Sequence, residues 1–490
     1  MPKAQLVIVN GTVWRAGPAA TAVAVSGDRI AAVGTDAEIL QLASADARVV
    51  DASGGMVLPA FNDAHVHFLM ASRSLTELDL HGAQTEAEVE RRIKSYVQLH
   101  SGPWIVGRGW FYSAFRGGMP TVQMLDRLVP DRPAYLESFD AHTGWANTKA
   151  LHLAGVEGAG VLKEAAMLAV TPHLPARSRA EDLDALRAGM RVAAEKGVAS
   201  VQEAGDGLVQ LPLWESLAGG PEMTVRVRLA FDLEPGMEQA DRLRRLEELD
   251  GASRRWRAPW LCGGILKAFA DGVVESRTAA FLKPYPGTED RGDLLWEDEE
   301  LALAVRMADA RGWQVQVHAI GDAAIRQALD AFEGTTSGRR HRIEHLESPA
   351  AEDVARLERL GVVASMQPQH ADDALTAAWR ANLGPERAAR GWPWRGVLDA
   401  GAPLAFGSDW PVVPIDPLAG LAMATGRGCV QDLSLDEAIA AWTAGSAFAE
   451  HTEGTKGQLR AGMLADVAVV DFKRSMVTAT VVGGRLVYER

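Results

Sequence analysis

Short apolar runs separated by turn residues open the chain: Leu6-Val7-Ile8-Val9, then Asn10-Gly11, Thr21 to Val25, Gly27-Asp28, Ile30 to Val33 and Val49-Val50. Runs of this length bounded by Gly and Asn predict strands, so residues 4 to 58 read as all-β. The chain ends the same way, with Asp466 to Val470, Met476 to Val482, Gly483-Gly484 and Leu486 to Tyr488 predicting three more strands. Between about residues 58 and 450 the pattern changes. Strand-like runs at 198–201, 264–267, 314–318, 342–345, 362–365 and 404–407 alternate with longer stretches of helical spacing, which predicts βα units around a parallel sheet. One segment, roughly 73 to 180, is longer than a crossover helix requires and holds Trp104, Trp110, Phe111 and Tyr112 among several Gly and Pro. It predicts a subdomain inserted over one side of the parallel-sheet unit. The expected division is therefore 1–57 with 452–490 as one composite β unit, 58–451 as the large parallel-sheet unit, and 73–180 as an insertion within it.

A length of 490 residues, 47% apolar and 23% charged, suits a large folded core with at least one smaller module. The net charge of −14 and the lack of any Lys/Arg cluster argue against a nucleic-acid partner. Cys262 and Cys429 are too few for a disulfide framework, which favours a reducing cytoplasm. The first apolar run breaks at Asn10-Gly11, too early for a signal peptide, and no run reaches the ~18 apolar residues of a membrane span. A soluble cytoplasmic protein with no membrane partner is the expectation.

Chemistry enters with His65-Val66-His67, whose two imidazoles leave a strand on the same face and can reach one metal ion. Alone the motif is as readily a pair of structural histidines. His318, His345 and Asp409 stand at or just past the ends of three further strands, and barrel enzymes assemble their sites from such positions. Neutral imidazoles with a carboxylate suit zinc or a similar divalent ion, with a coordination position left for water. Lys267 ends another strand. As an ammonium it has no lone pair for a metal, so it is a ligand only as an anionic carbamate, and otherwise a salt-bridged lysine.

In this order His65-x-His67, Lys267, His318, His345 and Asp409 resemble the amidohydrolase superfamily. The stretches Lys267 to Thr278, His318-Ala319-Ile320-Gly321-Asp322, Arg342-Ile343-Glu344-His345, Gln367-Pro368, Gly407-Ser408-Asp409-Trp410-Pro411 and Gly457 to Asp471 narrow the resemblance to the amidohydrolase 3 or YtcJ-like branch, whose neighbours include N-substituted formamide deformylases. The resemblance implies a (β/α)8 TIM barrel with a small β-sandwich built from both chain ends. It makes His65, His67, His318 and His345 ligands from the first, fifth and sixth strands, places Asp409 on the eighth, and makes Lys267 on the fourth a carbamate bridging two metals. The cofactor expected is one or two divalent ions per chain, zinc first among them, and relatives that are homodimers make a homodimer the analogy.

Activity follows from that resemblance: a metal-activated hydroxide attacks the carbonyl of an amide, N-formyl or cyclic amide, with Asp409 as general base. His142 is the candidate for holding the carbonyl or its oxyanion, or else a structural loop histidine. Trp110, Arg277 and His370 are candidate substrate contacts, Trp110 with Phe111 and Tyr112 as an apolar lid and Arg277 alternatively bracing Asp271 or Glu275. Asp322 caps a helix or orients a ligand. Two departures from the relatives stand out: Ala60-Phe61-Asn62 replaces Gly-Phe-Ile, and Val273-Val274-Glu275 brings a carboxylate where relatives carry glycine. Both leave the ligands intact, and the second changes the pocket. A deaminase or an ester or lactone hydrolase on the same metal is the rival activity, and a non-catalytic barrel binding a small molecule is the rival class.

Overall fold

Eight short strands, each buried on both faces, form one parallel sheet in chain order: Phe61–Val66, Val198–Glu203, Arg226–Asp232, Leu261–Phe269, Gln314–Ala319, Arg342–His345, Val363–Met366 and Leu404–Phe406. The computed structural model describes residues 3–17, 19–253 and 255–490. Helices such as Asp298–Ala310, Asp322–Phe332 and Ala351–Leu360 connect successive strands, so apolar sheet faces are covered as a parallel sheet requires. Just beyond the eighth strand, Asp409 N donates to His65 O at 2.7 Å and His67 N donates to Trp410 O at 2.9 Å, joining the last strand's end to the first. Gly407 permits this approach, because a Cβ there would lie 2.5 Å from the His65 backbone nitrogen. The fold is the (β/α)8 TIM barrel that the resemblance implied, built on the parallel sheet of βα units that the strand spacing predicted.

The lower interior of the barrel is polar, and its hydrogen bonds are internal. Arg342, fully buried, donates to Gln202, to Ala64 O and to Ser365 Oγ at 2.9 Å. Gln202 Nε2 donates to Ser446 O at 2.9 Å, and Lys456 bridges Glu450 (2.5 Å) and Ser200 (2.8 Å). A buried charge is tolerated when it is paired and its donors are used, as here.

Two further sheets carry the chain ends. One has four strands, Arg29–Gly34, Ala22–Ser26, Ala4–Val9 and Ala43–Asp51 in spatial order, and the other joins Thr12–Val13 and Met56–Pro59 to Val467–Asp471, Met476–Val482 and Arg485–Glu489. Leu6, Ile8, Val25, Val57, Val469 and Val481 share one core between them. The all-β reading of residues 4–58 missed one helix, Asp36–Leu42, although its start was written in the sequence: Thr35 N donates to Glu38 Oε2 at 2.8 Å and Glu38 N donates back to Thr35 Oγ1, a reciprocal capping box.

Between the first and second barrel strands lies a separate five-stranded sheet, in the order Val161–Lys163, Thr143–Ala146, Ala134–Ser138, Ile105–Trp110 and Leu78–Asp79. Its core holds Trp110, Phe111, Tyr112, Phe115 and Trp145. Among the described residues no helix is long and apolar enough to cross a membrane, and both cysteines are free.

Candidate metal centre

Because strands of a barrel alternate inward and outward side chains, residues at matching depth converge where the strands end. His65 Nε2 and His67 Nε2 each lie 3.4 Å from Asp409 Oδ1, while Asp409 Oδ2 lies 3.9 Å from His345 Nδ1 and 3.7 Å from His370 Nε2. His318 stacks edge-on to His345 with ring centroids 4.4 Å apart. Two of these residues stand in the left-handed backbone region, His345 at φ 71° and Asp409 at φ 61°. Such conformations cost about 1–3 kcal/mol each and persist where the surrounding structure imposes them, most often at functional sites.

Tautomers follow from the neighbours. His65 Nδ1 meets Glu344 Oε2 at 2.5 Å, so its proton points to the carboxylate and Nε2 keeps a free lone pair. A carboxylate this close favours a charged imidazolium, yet burial, assisted by Lys267, His67 and Arg342, holds His65 well below the ordinary imidazole range. The ring is therefore neutral. His318 Nε2 meets the Gly272 carbonyl at 3.0 Å, leaving Nδ1 as its free nitrogen. Burial also lowers His67, to about 3, and depresses His318 and His345, with Lys267 reinforcing the first two and His318 and His65 the last.

Lys267, 1% exposed, lies two residues before the end of the fourth strand rather than at it, and its Nζ has no hydrogen-bond partner among the described residues and lies 4.5 Å above the Phe269 ring. Burial pulls its amine down to about 8 against the opposing pull of Glu344 and Asp409. Asp409 moves the other way: burial pushes it up to about 6, with His370 and Lys267 drawing it back. His65 Nε2, His345 Nδ1, His370 Nε2 and Asp409 Oδ1 are likewise buried without hydrogen-bond partners. Buried polar atoms are normally satisfied, so five orphans from four strand ends and one following loop fit a cation-binding site rather than a packed core.

A cavity of about 480 Å³ is lined by His67, Lys267, His318, His345 and Asp409 together with the apolar Phe139, Met167, Leu168, Leu375 and Val412. His142 and His370 line it as expected. Burial pulls His142 down, but Glu164, 2.8 Å from Nδ1, outweighs it and raises the ring to about 9, giving a cationic imidazole facing the cavity.

Two expected contacts are elsewhere. Trp110 packs inside the inserted sheet with its Nε1 donating to Leu136 O at 2.9 Å, and Phe111 and Tyr112 are buried beside it, so none of the three forms a lid. Arg277 is exposed and donates to Asn382 Oδ1 at 3.0 Å, bracing neither Asp271 nor Glu275. Asp322 accepts from Leu282 N at 2.7 Å and ties down a loop, while Gly321 holds the helix cap. Asp271 takes a role none was expected to fill: its two oxygens accept the amides of Ala280, Ile320 and Gly321 at 2.9–3.0 Å and so fix the turn after His318.

Glu344 and Arg342 were also missed as site residues. Arg342 Nε lies 2.8 Å from Glu344 Oε1, and Glu344 in turn holds His65, so a buried chain of three groups sets one imidazole. Their spacing of two on one strand is the signal that could have found them, since both must point inward with the barrel polar at that depth. Glu347, just past the sixth strand, carried no such signal; it comes together with His345 and His370 as a second group whose donor atoms lie within 4.8 Å of one another.

A family model described as the amidohydrolase family matches residues 48–488. The chain belongs to the amidohydrolase family. Among curated relatives it is 30% identical to the protein LONG AFTER FAR-RED 3 of Arabidopsis thaliana, covering 99% of this chain and 92% of that one. Identity is 28% to the putative amidohydrolase YtcJ of Bacillus subtilis (91% and 92% covered) and 27% to an N-substituted formamide deformylase of Arthrobacter pascens (99% and 98%). A crystal structure of an uncharacterised metal-dependent hydrolase from Pyrococcus furiosus superposes with a TM-score of 0.74 at 27% identity, covering 95% of this amidohydrolase and 98% of the other chain. The YtcJ-like branch expected from the motif stretches around the strand-end residues is thereby reached independently.

Proposed function

We propose that this amidohydrolase uses a divalent metal centre, zinc being the metal its donors suit best, to hydrolyse the C–N bond of a small amide or N-formyl compound. One observation carries the reading: neutral imidazoles, Asp409 and an unpaired buried Lys267 amine converge on the cavity floor with their donor atoms unused. The similarity to a formamide deformylase over almost the whole chain supports the choice of bond. His65, His67, His318, His345 and Asp409 would hold the metal, with Lys267 joining them once carbamylated. A cation there supplies Lewis acidity and lowers the pKa of water toward neutrality.

The chain's own groups then divide the work. Asp409 takes a proton from the attacking water and returns it to the departing nitrogen, so that water adds across the bond and an acid and an amine leave. His142, kept cationic by Glu164, donates toward the carbonyl oxygen as it gains charge. Phe139, Leu168 and Leu375 exclude solvent and take the apolar part of the substrate. We place the enzyme in the cytoplasm, with a homodimer as its assembly by analogy to relatives.

Product analysis on an N-formyl alkylamine tests the reading: formate and free amine should appear in equal amounts, and removal of metal by a chelator should abolish both. Alcohol from an ester panel, or ammonia from amino heterocycles, with no amide turnover would replace it by the esterase or deaminase alternative. Glu344→Gln is expected to weaken metal binding by about 10–100-fold through loss of the His65 orientation. Competition against a chromogenic chelator measures this, and unchanged affinity would refute the orienting role.

A further inference from the structure

Three carboxylates, Glu275, Glu347 and Asp140, line the cavity beside the metal-site residues. Glu275, from the loop after the fourth strand, lines the cavity, and its carboxylate has no salt bridge or side-chain hydrogen bond among the described residues. Glu347 is 5% exposed. Its Oε2 accepts from Trp379 Nε1 at 2.7 Å, but Oε1 meets only His370 Nδ1 at 3.6 Å, too far for a hydrogen bond. Asp140 adds a third carboxylate whose Oδ2 is buried without a partner. Arg277 faces outward on Asn382, Lys163 Nζ donates to Ser276 O at 3.1 Å and His142 is paired with Glu164, while Lys267 lines the cavity among the metal-site residues.

Position is fixed by the backbone. Asn382 Nδ2 donates to the carbonyls of Val274 and Glu275 at 2.9 and 3.1 Å, so the loop bearing Glu275 is pinned to the helix Ala377–Ala388. Trp379 of the same helix pins Glu347. Between Glu347 and the metal centre stands His370, with Nδ1 toward Glu347 and Nε2 toward Asp409. Like charges in a dry site repel strongly, and burial with Glu347 and Asp140 as neighbours pushes the Glu275 carboxyl well above its ordinary range. Such a wall is relieved by a cation from outside.

We propose that the substrate carries a cationic nitrogen, an alkylammonium or amidinium, which Glu275 and Glu347 bind while the scissile amide lies over the metal centre. The inference rests on the hydrolytic reading of the same cavity and adds its substrate class: an N-acyl or N-formyl derivative of a diamine-like molecule. Phe139, Leu168 and Leu375 pack its methylenes. Two carboxylates here select a cation for the reason a site built to pair a charged group rejects the neutral isostere, whose entry leaves the acids buried and unpaired.

Matched pairs test it: N-formyl α,ω-diaminoalkanes with propyl to pentyl chains against the N-formyl alkylamines in which a methyl replaces the ammonium. The holoenzyme is expected to favour the cationic member by about tenfold or more in kcat/KM, and Glu275→Gln to bring that ratio toward one. No preference in the wild type, or a preference that survives Glu275→Gln, overturns the proposal. If no amide of either kind is cleaved, the hydrolytic reading fails separately, and calorimetry with butylammonium against butanol decides the cation site: tighter ammonium binding that Glu275→Gln abolishes supports it, and equal binding overturns it. Metal content per chain is expected to be the same in wild type and Glu275→Gln; loss of an ion in the variant would make the missing cation a metal and sink the substrate assignment.

Discussion

Asp409→Asn is expected to lower kcat by about 10²- to 10⁴-fold on any amide the enzyme cleaves, with KM moving far less. The asparagine keeps the volume and one acceptor oxygen but cannot accept a proton, so the change tests proton transfer more than packing. Position makes the residue central: one carboxylate oxygen lies 3.4 Å from two imidazoles and the other 3.7–3.9 Å from two more, on a backbone held at φ 61°. Burial, which pushes its carboxyl up to about 6, also brings its basicity nearer the neutral range in which a general base works best. Metal content measured on the same preparation separates the roles. A variant that retains metal but loses turnover has lost its base; one that loses both has lost a ligand; retained metal with kcat within about fivefold of wild type would remove Asp409 from the proton path.

What the sequence made legible, and what it hid, divides along a physical line. Strand-end residues could be read because a barrel forces them together: once 314–318, 342–345 and 404–407 are taken as consecutive parallel strands, His318, His345 and Asp409 must share one mouth. Side chains whose role depends on a loop could not. Arg277 and Glu275 are separated by two positions, yet a left-handed backbone at Arg277, φ 62°, turns the guanidinium out to Asn382 while Glu275 faces the cavity. Trp110 misled for a related reason. It ends a strand of the inserted sheet, where a large apolar ring is as well used in the insertion's own core as over a cavity, and the cluster with Phe115 and Trp145 decides for the core. Glu344 was in plain view within a quoted motif; its partner His65 is 279 positions earlier, and only the closed barrel shows that the two are 2.5 Å apart.

Lys267→Ala is expected to change the metal stoichiometry itself, from about two ions per chain in protein purified without chelator to about one or none, with catalysis falling in parallel. The argument starts from an electrostatic misfit. An ammonium at 1% exposure, with no hydrogen-bond acceptor among the described residues and an aromatic face 4.5 Å away, gains little to offset its desolvation, and burial already drags the amine down to about 8. Loss of one proton gives the neutral amine, and its addition to carbon dioxide releases a second, so the cation would become a carbamate anion with two donor oxygens amid four imidazoles. In that form Lys267 would join the histidines and Asp409 in holding metal. Mass spectrometry of metal content reads the outcome directly, and a short carboxylate such as formate, added to the variant, should restore part of the lost metal by standing in for the carbamate oxygens. A single ion unaffected by the substitution would mean a mononuclear centre held by the histidines and Asp409. Lys267 would then face the cavity as a plain amine, and the substrate's carbonyl, rather than a second metal, would be the group its free nitrogen awaits.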